Sequence, residues 1–243
     1  MTRLFLLSLI ALCWQQPIAA AGAVTKDLGS IVAATCKIEN PGSTATGILI
    51  RNESGHLFVL SAAHVFEKTS GNDARLILRD ERTRREVSIQ LRLNRKQKWV
   101  KHPTADIAVL PVNIEHCSAI SMADLASPST ITIGETAWVP GFPAQLEADE
   151  SGAPVVRHGA VASVPLSPDA KHPTFLLSCT TASGDSGAPV VTRSGGVIGL
   201  VVGLHRETTT TTSPTEERTV HRPLDLAIAV HAGILRETLA LVD

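Results

Sequence analysis

The chain has 243 residues, of which 44% are hydrophobic, 19% charged and 3% aromatic, and it contains no tyrosine. Its formal net charge of -1 argues against a general nucleic-acid-binding protein, because such proteins normally carry a large basic excess. The length fits a single all-β protein of two packed barrels. With so few aromatic residues, its core must be filled by Val, Leu, Ile and Ala.

The N-terminus has the pattern of an export signal. Arg3 gives a positive start, residues 4–14 are mostly apolar, and small residues allow cleavage after Ala21 or Ala23. A membrane anchor is the alternative, but this apolar stretch is too short to span a bilayer. We therefore expect residues 1–21 to be a signal peptide, and the remaining chain to be periplasmic or extracellular without stable membrane association.

From residue 29 onward, short β-forming stretches alternate with turn residues. A spacing of about ten residues with Gly and Pro punctuation is typical of a β-barrel or sandwich. The alternation is clearest in EVSIQLRL, where aliphatic residues share one face and polar residues the other. The predicted strands cover residues 30–38, 45–51, 56–62, 86–93, 106–112, 135–142, 155–164, 174–179, 188–192, 196–204 and 224–230.

Three segments depart from this pattern. The stretch HAGILRETLALV, from His231, has helical spacing. Its predicted docking face consists of four aliphatic residues, Ile234, Leu235, Leu239 and Leu241. Residues 208–219 are polar and of low complexity, which predicts a solvated loop between two strands. Residues 112–133 are irregular and are the candidate connection between two halves of the chain.

Three cysteines remain once the signal is removed: Cys36, Cys117 and Cys179. An odd number leaves at least one thiol unpaired within the chain. Two arrangements remain possible: a disulfide bridge between Cys36 and Cys117, or three buried thiols. Neither the cysteines nor the histidines have the spacing of a metal motif, so we expect no metal and no other cofactor.

Three short blocks carry the residues of a hydrolytic site. LSAAHVF places His64 at the end of an apolar strand, HPTADIAVLPV places Asp106 at the start of another, and SGDSGAPVV places Ser186 between glycines. Separately, each has a structural explanation: a hydrogen-bonded histidine, a strand cap and a tight turn. Together they supply a hydroxyl, an imidazole to accept its proton, and a carboxylate to orient the imidazole.

The blocks SAAHVF, ADIAV and SGDSGAPVV, in this order, resemble the signature blocks of chymotrypsin-fold (trypsin-like) serine peptidases, in particular compact bacterial glutamyl-endopeptidase-like and HtrA-like members. ATGILI, GFP and GGVIGLVVG support the resemblance, which covers residues 29–235. It implies an all-β fold of two six-stranded antiparallel β-barrels with a C-terminal α-helix. The peptidase domain would span residues 22–243, with one barrel at about 28–122 and the other at about 123–243.

The resemblance also implies roles for individual residues. His64 is expected to be the general base, Asp106 its orienting acid and Ser186 the nucleophile. The N–H groups of Gly184 and Ser186 are expected to form the oxyanion hole, since glycine can adopt the backbone angles that this loop requires.

For the substrate-binding pocket, the resemblance places Thr180 at the base and Gly203 in the wall. Because Thr180 is not a carboxylate, a preference for Lys or Arg is disfavoured, and Val201 stands where relatives that cleave after Glu have a histidine. Gly203 leaves the wall open, so we expect a neutral, small or medium side chain before the cut. Asp185 matches an acid that pairs with a new N-terminus in activated zymogens. No clear activation peptide precedes residue 30, so Asp185 is expected to find local hydrogen bonds instead.

The function predicted from these features is an exported serine endopeptidase that hydrolyses polypeptides through an acyl-enzyme intermediate. It is expected to act as a monomer and to bind no nucleic acid. Two alternatives remain: a catalytically idle binding module on the same scaffold, and an esterase that uses the same three residues.

Overall fold

The structure, a computed structural model, describes residues 27–67, 74–93, 98–127, 130–164, 174–193, 196–212 and 217–242. The predicted signal peptide lies outside these ranges. No helix among the described residues is both long and apolar enough to cross a membrane.

The first half of the chain forms one sheet of eight strands. Its helix and strands are α1 (Leu28–Ala34), β1 (Thr35–Asn40), β2 (Ser43–Arg51), β3 (Leu57–Ala62), β4 (Arg75–Arg79), β5 (Glu86–Gln90), β6 (Val100–Lys101), β7 (Ile107–Val112) and β8 (Ile120–Ser121). The strand order is β5-β4-β1-β2-β3-β7-β6, and β8 pairs with β2 in parallel.

The second half forms a closed antiparallel barrel in the order β10-β11-β14-β13-β12-β9. Its elements are β9 (Thr136–Gly141), β10 (Val155–Val161), β11 (Thr174–Ser178), β12 (Pro189–Thr192), β13 (Val197–Thr212), β14 (Glu217–His231) and α2 (Ala232–Leu239). The predicted all-β, chymotrypsin-like fold with a C-terminal helix is therefore confirmed. The first half differs in detail, because the pairings among its described residues give eight strands and an open order rather than a closed barrel of six.

Among the described residues, one of three hydrophobic clusters joins the two halves. It contains Ile48 and Leu60 from the first sheet, Leu200 and Val230 from the barrel, and Leu235 from α2. Each of these side chains is fully buried, and burial of one such side chain stabilises the fold by about 1.5–3 kcal/mol. The shared core holds the first sheet against the barrel, and the catalytic candidates lie on both sides of this boundary.

The first predicted strand is wrong over its N-terminal part, where residues 28–34 form α1. Asp27 caps this helix, because its side chain accepts a hydrogen bond from the Ser30 N–H at 2.9 Å. Ile31 and Ala34 are buried on the inner face of the helix. The cap and the tertiary packing thus override the β propensity of the Ile-Val pair.

The expected loop at residues 208–219 is also wrong at residues 208–212 and 217–219, while residues 213–216 lie outside the described ranges. β13 and β14 continue past the barrel as a two-stranded ribbon, paired as far as Thr212 and Glu217. Threonine is β-branched and fits an exposed strand, whereas the low complexity of the segment suggested a loop. The expected solvation does hold for Thr208–Thr210, which are exposed.

The C-terminal helix has its expected inner face, with Ile234, Leu235 and Leu239 buried. Leu241 was expected on the same face, but it lies beyond the last helical residue and is 49% exposed.

Candidate active site

Strand pairing brings His64 and Asp106 together. β3 and β7 are antiparallel neighbours, with Ala62 opposite Ile107. His64 follows the end of β3 in a short 3-10 turn (Ala63–Val65), and Asp106 immediately precedes β7. The Ala63 N–H donates to the Asp106 carbonyl at 3.1 Å, which fixes the spacing of the two loops.

The side chains of His64, Asp106 and Ser186 form a continuous hydrogen-bonded chain. His64 Nδ1 is 2.6 Å from Asp106 Oδ2, and His64 Nε2 is 2.9 Å from Ser186 Oγ. The other oxygen of Asp106 accepts the backbone N–H of His64 at 2.8 Å. A carboxylate at Nδ1 favours the tautomer with its proton on that nitrogen, which leaves Nε2 free to accept the serine proton.

The loop that carries Ser186 needs glycine on both sides of it. Gly184 has a φ of +102°, and a Cβ there would lie 2.1 Å from the Phe142 carbonyl oxygen. Gly187 has a φ of +88°, and its Cβ would lie 2.0 Å from the Thr46 carbonyl oxygen. Among the described residues, the N–H groups of Gly184 and Ser186 have no acceptor. Both are therefore available as donors, as an oxyanion hole requires.

Comparison with known proteins agrees with this geometry. The family model described as a trypsin-like peptidase domain matches residues 45–200, more than half of the chain. The chain belongs to the trypsin-like peptidase domain family. By class it is a serine-type endopeptidase, as predicted.

Solved structures show the fold of this trypsin-like peptidase domain. An inactive form of Rv3671c from M. tuberculosis H37Rv, with a serine-to-alanine substitution, has a TM-score of 0.58 at 18% identity, covering 91% of this chain and 93% of its own. The HtrA-type protease AlgW with a tripeptide has a TM-score of 0.59 at 17% identity, covering 88% of this chain. The match spans 61% of AlgW. Among curated proteins, none matches.

In this trypsin-like peptidase, Thr46 links the first sheet to the nucleophile loop, a role that the sequence alone did not indicate. Its hydroxyl donates to the Gly184 carbonyl at 2.7 Å and accepts the Phe142 N–H at 3.2 Å. Its backbone N–H donates to the Ser186 carbonyl at 2.9 Å. Ser61, fully buried, donates its hydroxyl to the Thr46 carbonyl at 2.6 Å. Thr46 therefore holds the position of Ser186 relative to His64, which follows the neighbouring strand β3.

Asp185 is buried behind the nucleophile and forms a salt bridge with Arg157 of β10. Its other oxygen accepts the Ala182 N–H at 2.6 Å. Burial raises the pKa of Asp185, while the Ala182 N–H and the Arg157 charge partly oppose this effect. Asp185 thus has local partners, as expected, but Arg157 was not identified from the sequence.

The two predicted pocket residues lie in segments that adjoin the nucleophile loop. Thr180 follows β11, and its hydroxyl donates to Asp225 Oδ1 of β14 at 3.1 Å. Gly203 lies on β13, and open space surrounds the position where its Cβ would be. Asp225 was not among the residues predicted for the site. The Asp225 carboxylate places a negative charge beside Thr180, the residue expected to form a neutral floor of the pocket.

The cysteines Cys36, Cys117 and Cys179 are free and buried. Burial raises the pKa of all three thiols, which makes them poor nucleophiles. Within the described ranges, no cluster of His, Cys, Asp and Glu side chains could hold a metal ion.

Proposed function

We propose that this chain is an exported endopeptidase that hydrolyses peptide bonds with Ser186 as nucleophile, His64 as general base and acid, and Asp106 as the group that orients His64. The observation that carries the proposal is the unbroken chain of hydrogen bonds from Asp106 Oδ2 through the imidazole to Ser186 Oγ. Its three residues come from three separate segments of a trypsin-like peptidase domain.

The proposed reaction has two halves. In the first, His64 Nε2 accepts the Ser186 proton as Oγ attacks the peptide carbonyl carbon, and the protonated imidazole then gives that proton to the leaving amine. In the second, water attacks the acyl carbon while His64 Nε2 accepts its proton. The bond from the acyl carbon to Oγ then breaks, and the imidazolium returns the proton to Ser186 Oγ, which releases the carboxylic acid and the free serine. The carboxylate of Asp106 stabilises the imidazolium in both halves.

The negative oxygen of each tetrahedral intermediate would be held by the N–H groups of Gly184 and Ser186. These donors need the loop around Asp185 to be fixed before substrate arrives. The salt bridge with Arg157 and the hydroxyl of Thr46 support such preorganisation. We propose that the oxyanion hole is assembled without proteolytic release of a new N-terminus.

The proposal includes export and a monomeric state. The charge and apolar pattern of residues 1–21 support export to the periplasm or the extracellular space. N-terminal sequencing of the exported protein tests the cleavage site, and sedimentation of the mature chain tests the monomer.

Digestion of denatured casein by the mature chain tests the proposed reaction. We expect new amino termini with wild type, none with Ser186→Ala, and turnover about four orders of magnitude lower with Asp106→Asn, by analogy with a well-studied triad. A loss below tenfold for Asp106→Asn contradicts its role. Ester hydrolysis without peptide hydrolysis favours the esterase, and inertness toward both favours the binding module.

A further inference from the structure

The carboxylate of Asp225 lies at a break in the pairing of β13 and β14. Leu204 pairs with Ala227 and Arg206 with Pro223, with a register shift between them. Asp225 is the middle one of the three β14 residues between these pairs, where the barrel passes into the ribbon. Here Asp225 Oδ1 accepts a hydrogen bond from the Thr180 hydroxyl, while the Asp225 side chain stays exposed to solvent.

This position adjoins the nucleophile loop. Just after Ser186, the Gly187 N–H donates to the Val201 carbonyl at 2.7 Å, and the Val201 N–H donates to the Ala188 carbonyl at 2.9 Å. β13 therefore runs beside the loop at Val201, and Gly203, two residues further, contributes no side chain. Thr180, six residues before Ser186, begins the segment that leads into the loop. Because Thr180 donates to Asp225, the carboxylate lies beside this segment.

One carboxylate oxygen of Asp225 has no partner among the described residues. Arg157 donates to the Thr180 carbonyl at 2.7 Å, but it forms its salt bridge with Asp185. Asp225 forms no salt bridge with any described residue, and its Oδ2 has no hydrogen-bond donor among them. One carboxylate oxygen is therefore open to a cation from outside the chain.

We propose that Asp225 selects substrates with a cationic side chain, Lys or Arg, on the N-terminal side of the scissile bond. A guanidinium or ammonium group donates to Oδ2, while Thr180 holds Oδ1 and thereby the orientation of the carboxylate. This inference rests on the proposed peptidase function, and it replaces the expectation of a neutral side chain, which considered Thr180 and Gly203 without Asp225.

Turnover of matched peptide substrates tests the selection. We compare peptides that differ only in Arg, Lys, Leu or Ala before the cut, in wild type, Asp225→Asn and Glu207→Gln. Glu207 is the matched control, because it is an exposed carboxylate on the neighbouring strand β13 and has no contact with Thr180. We expect kcat/KM for Arg and Lys substrates to fall about 10- to 100-fold in Asp225→Asn, as for loss of a charged hydrogen bond, with Leu and Ala substrates and Glu207→Gln unchanged.

Binding of 4-aminobenzamidine, a fluorescent amidinium, tests the same pocket without turnover. In the Ser186→Ala background we expect saturable binding that weakens at least tenfold with Asp225→Asn, returns at least in part with Asp225→Glu, and does not change with Glu207→Gln. Labelling of the single Asp225→Asn variant by an uncharged fluorophosphonate confirms that its nucleophile loop is intact.

The outcomes separate this inference from the proposed function. Wild type that cleaves neutral substrates best, or Asp225→Asn that affects Arg and Leu substrates equally, overturns the selection while the peptidase function stands. If the protein shows no turnover but binds the amidinium in a way that depends on Asp225, the selection is supported although the peptidase function fails. Absence of amidinium binding to wild type and to Ser186→Ala overturns the selection.

Discussion

Arg157 and Asp185 form a salt bridge directly behind the nucleophile, with the aspartate 1% exposed. The arginine also donates to the Thr180 carbonyl, so it braces both ends of the segment that leads to Ser186. An internal cation thus supplies the partner that an activated zymogen takes from its new N-terminus. The arrangement makes the salt bridge a determinant of both stability and turnover.

Replacement of Arg157 by Gln is expected to lower the free energy of unfolding by about 3 kcal/mol near pH 8, because a buried carboxylate loses its partner. The effect depends on pH. Burial already raises the pKa of Asp185, and loss of Arg157 raises it further. At pH values below this raised pKa, Asp185 is protonated and neutral in the folded state. Its contribution to the free energy of unfolding is therefore retained at low pH, and it is lost as the pH rises through the raised pKa.

Urea unfolding of wild type and Arg157→Gln at pH 5 and pH 8 measures this dependence. The difference between the two proteins should be larger at pH 8. A difference that is equal at both pH values, or larger at pH 5, contradicts the assignment of the effect to the Asp185 carboxylate.

Thr46→Val is expected to reduce kcat by about tenfold or more, because the buried Gly184 carbonyl and Phe142 N–H each lose a hydrogen bond near the nucleophile. Thr44→Val on the same strand is the control, since Thr44 is only partly buried and lies outside this network. Steady-state kinetics of both variants measure the effect. Equal kinetics for the two variants remove Thr46 as a positioning residue.

Gly184→Ala is expected to reduce kcat by about 100-fold or more, because its methyl group meets the Phe142 carbonyl oxygen and displaces an oxyanion donor. Gly42→Ala provides a control for backbone strain alone. Gly42 also has a positive φ, +76°, but lies in open space in the turn between β1 and β2. It should lose about 1 kcal/mol of stability and keep full turnover. Full turnover in Gly184→Ala counts against the oxyanion role of this loop.

The three thiols should be protected in the native mature chain. Burial raises the pKa of Cys36, Cys117 and Cys179, so a disulfide reagent at pH 8 should react slowly with the folded protein. After denaturation in guanidinium chloride without reductant, three thiols per chain should react at once with the reagent. Detection of fewer than three thiols under those conditions shows that a bridge has formed.

Local patterns in the sequence were enough to predict most strands and the order of His64, Asp106 and Ser186. Apolar alternation and turn residues are encoded within a few positions, and His64 and Asp106 lie just outside the adjacent ends of β3 and β7, where the site forms. The helix α1 and the Thr-rich ribbon were missed because capping, packing and pairing overrode the local signal.

The supporting residues could not be predicted because each acts across a long sequence separation. Thr46 contacts Gly184 from 138 positions away, and Asp225 contacts Thr180 from 45 positions away. Arg157 reaches Asp185 only because β10 lies beside β11 in the closed barrel. An isolated threonine or arginine on a strand has no signature that distinguishes such a role from simple exposure.

Reaction with a fluorophosphonate, located by mass spectrometry, tests most directly whether the imidazole activates the hydroxyl. Wild type should gain one adduct on the peptide that contains Ser186. Ser186→Ala should gain none there, and His64→Ala should react at least about 100-fold more slowly, as expected for loss of a general base. An unmodified wild-type Ser186 peptide, or equal rates for wild type and His64→Ala, contradicts the account.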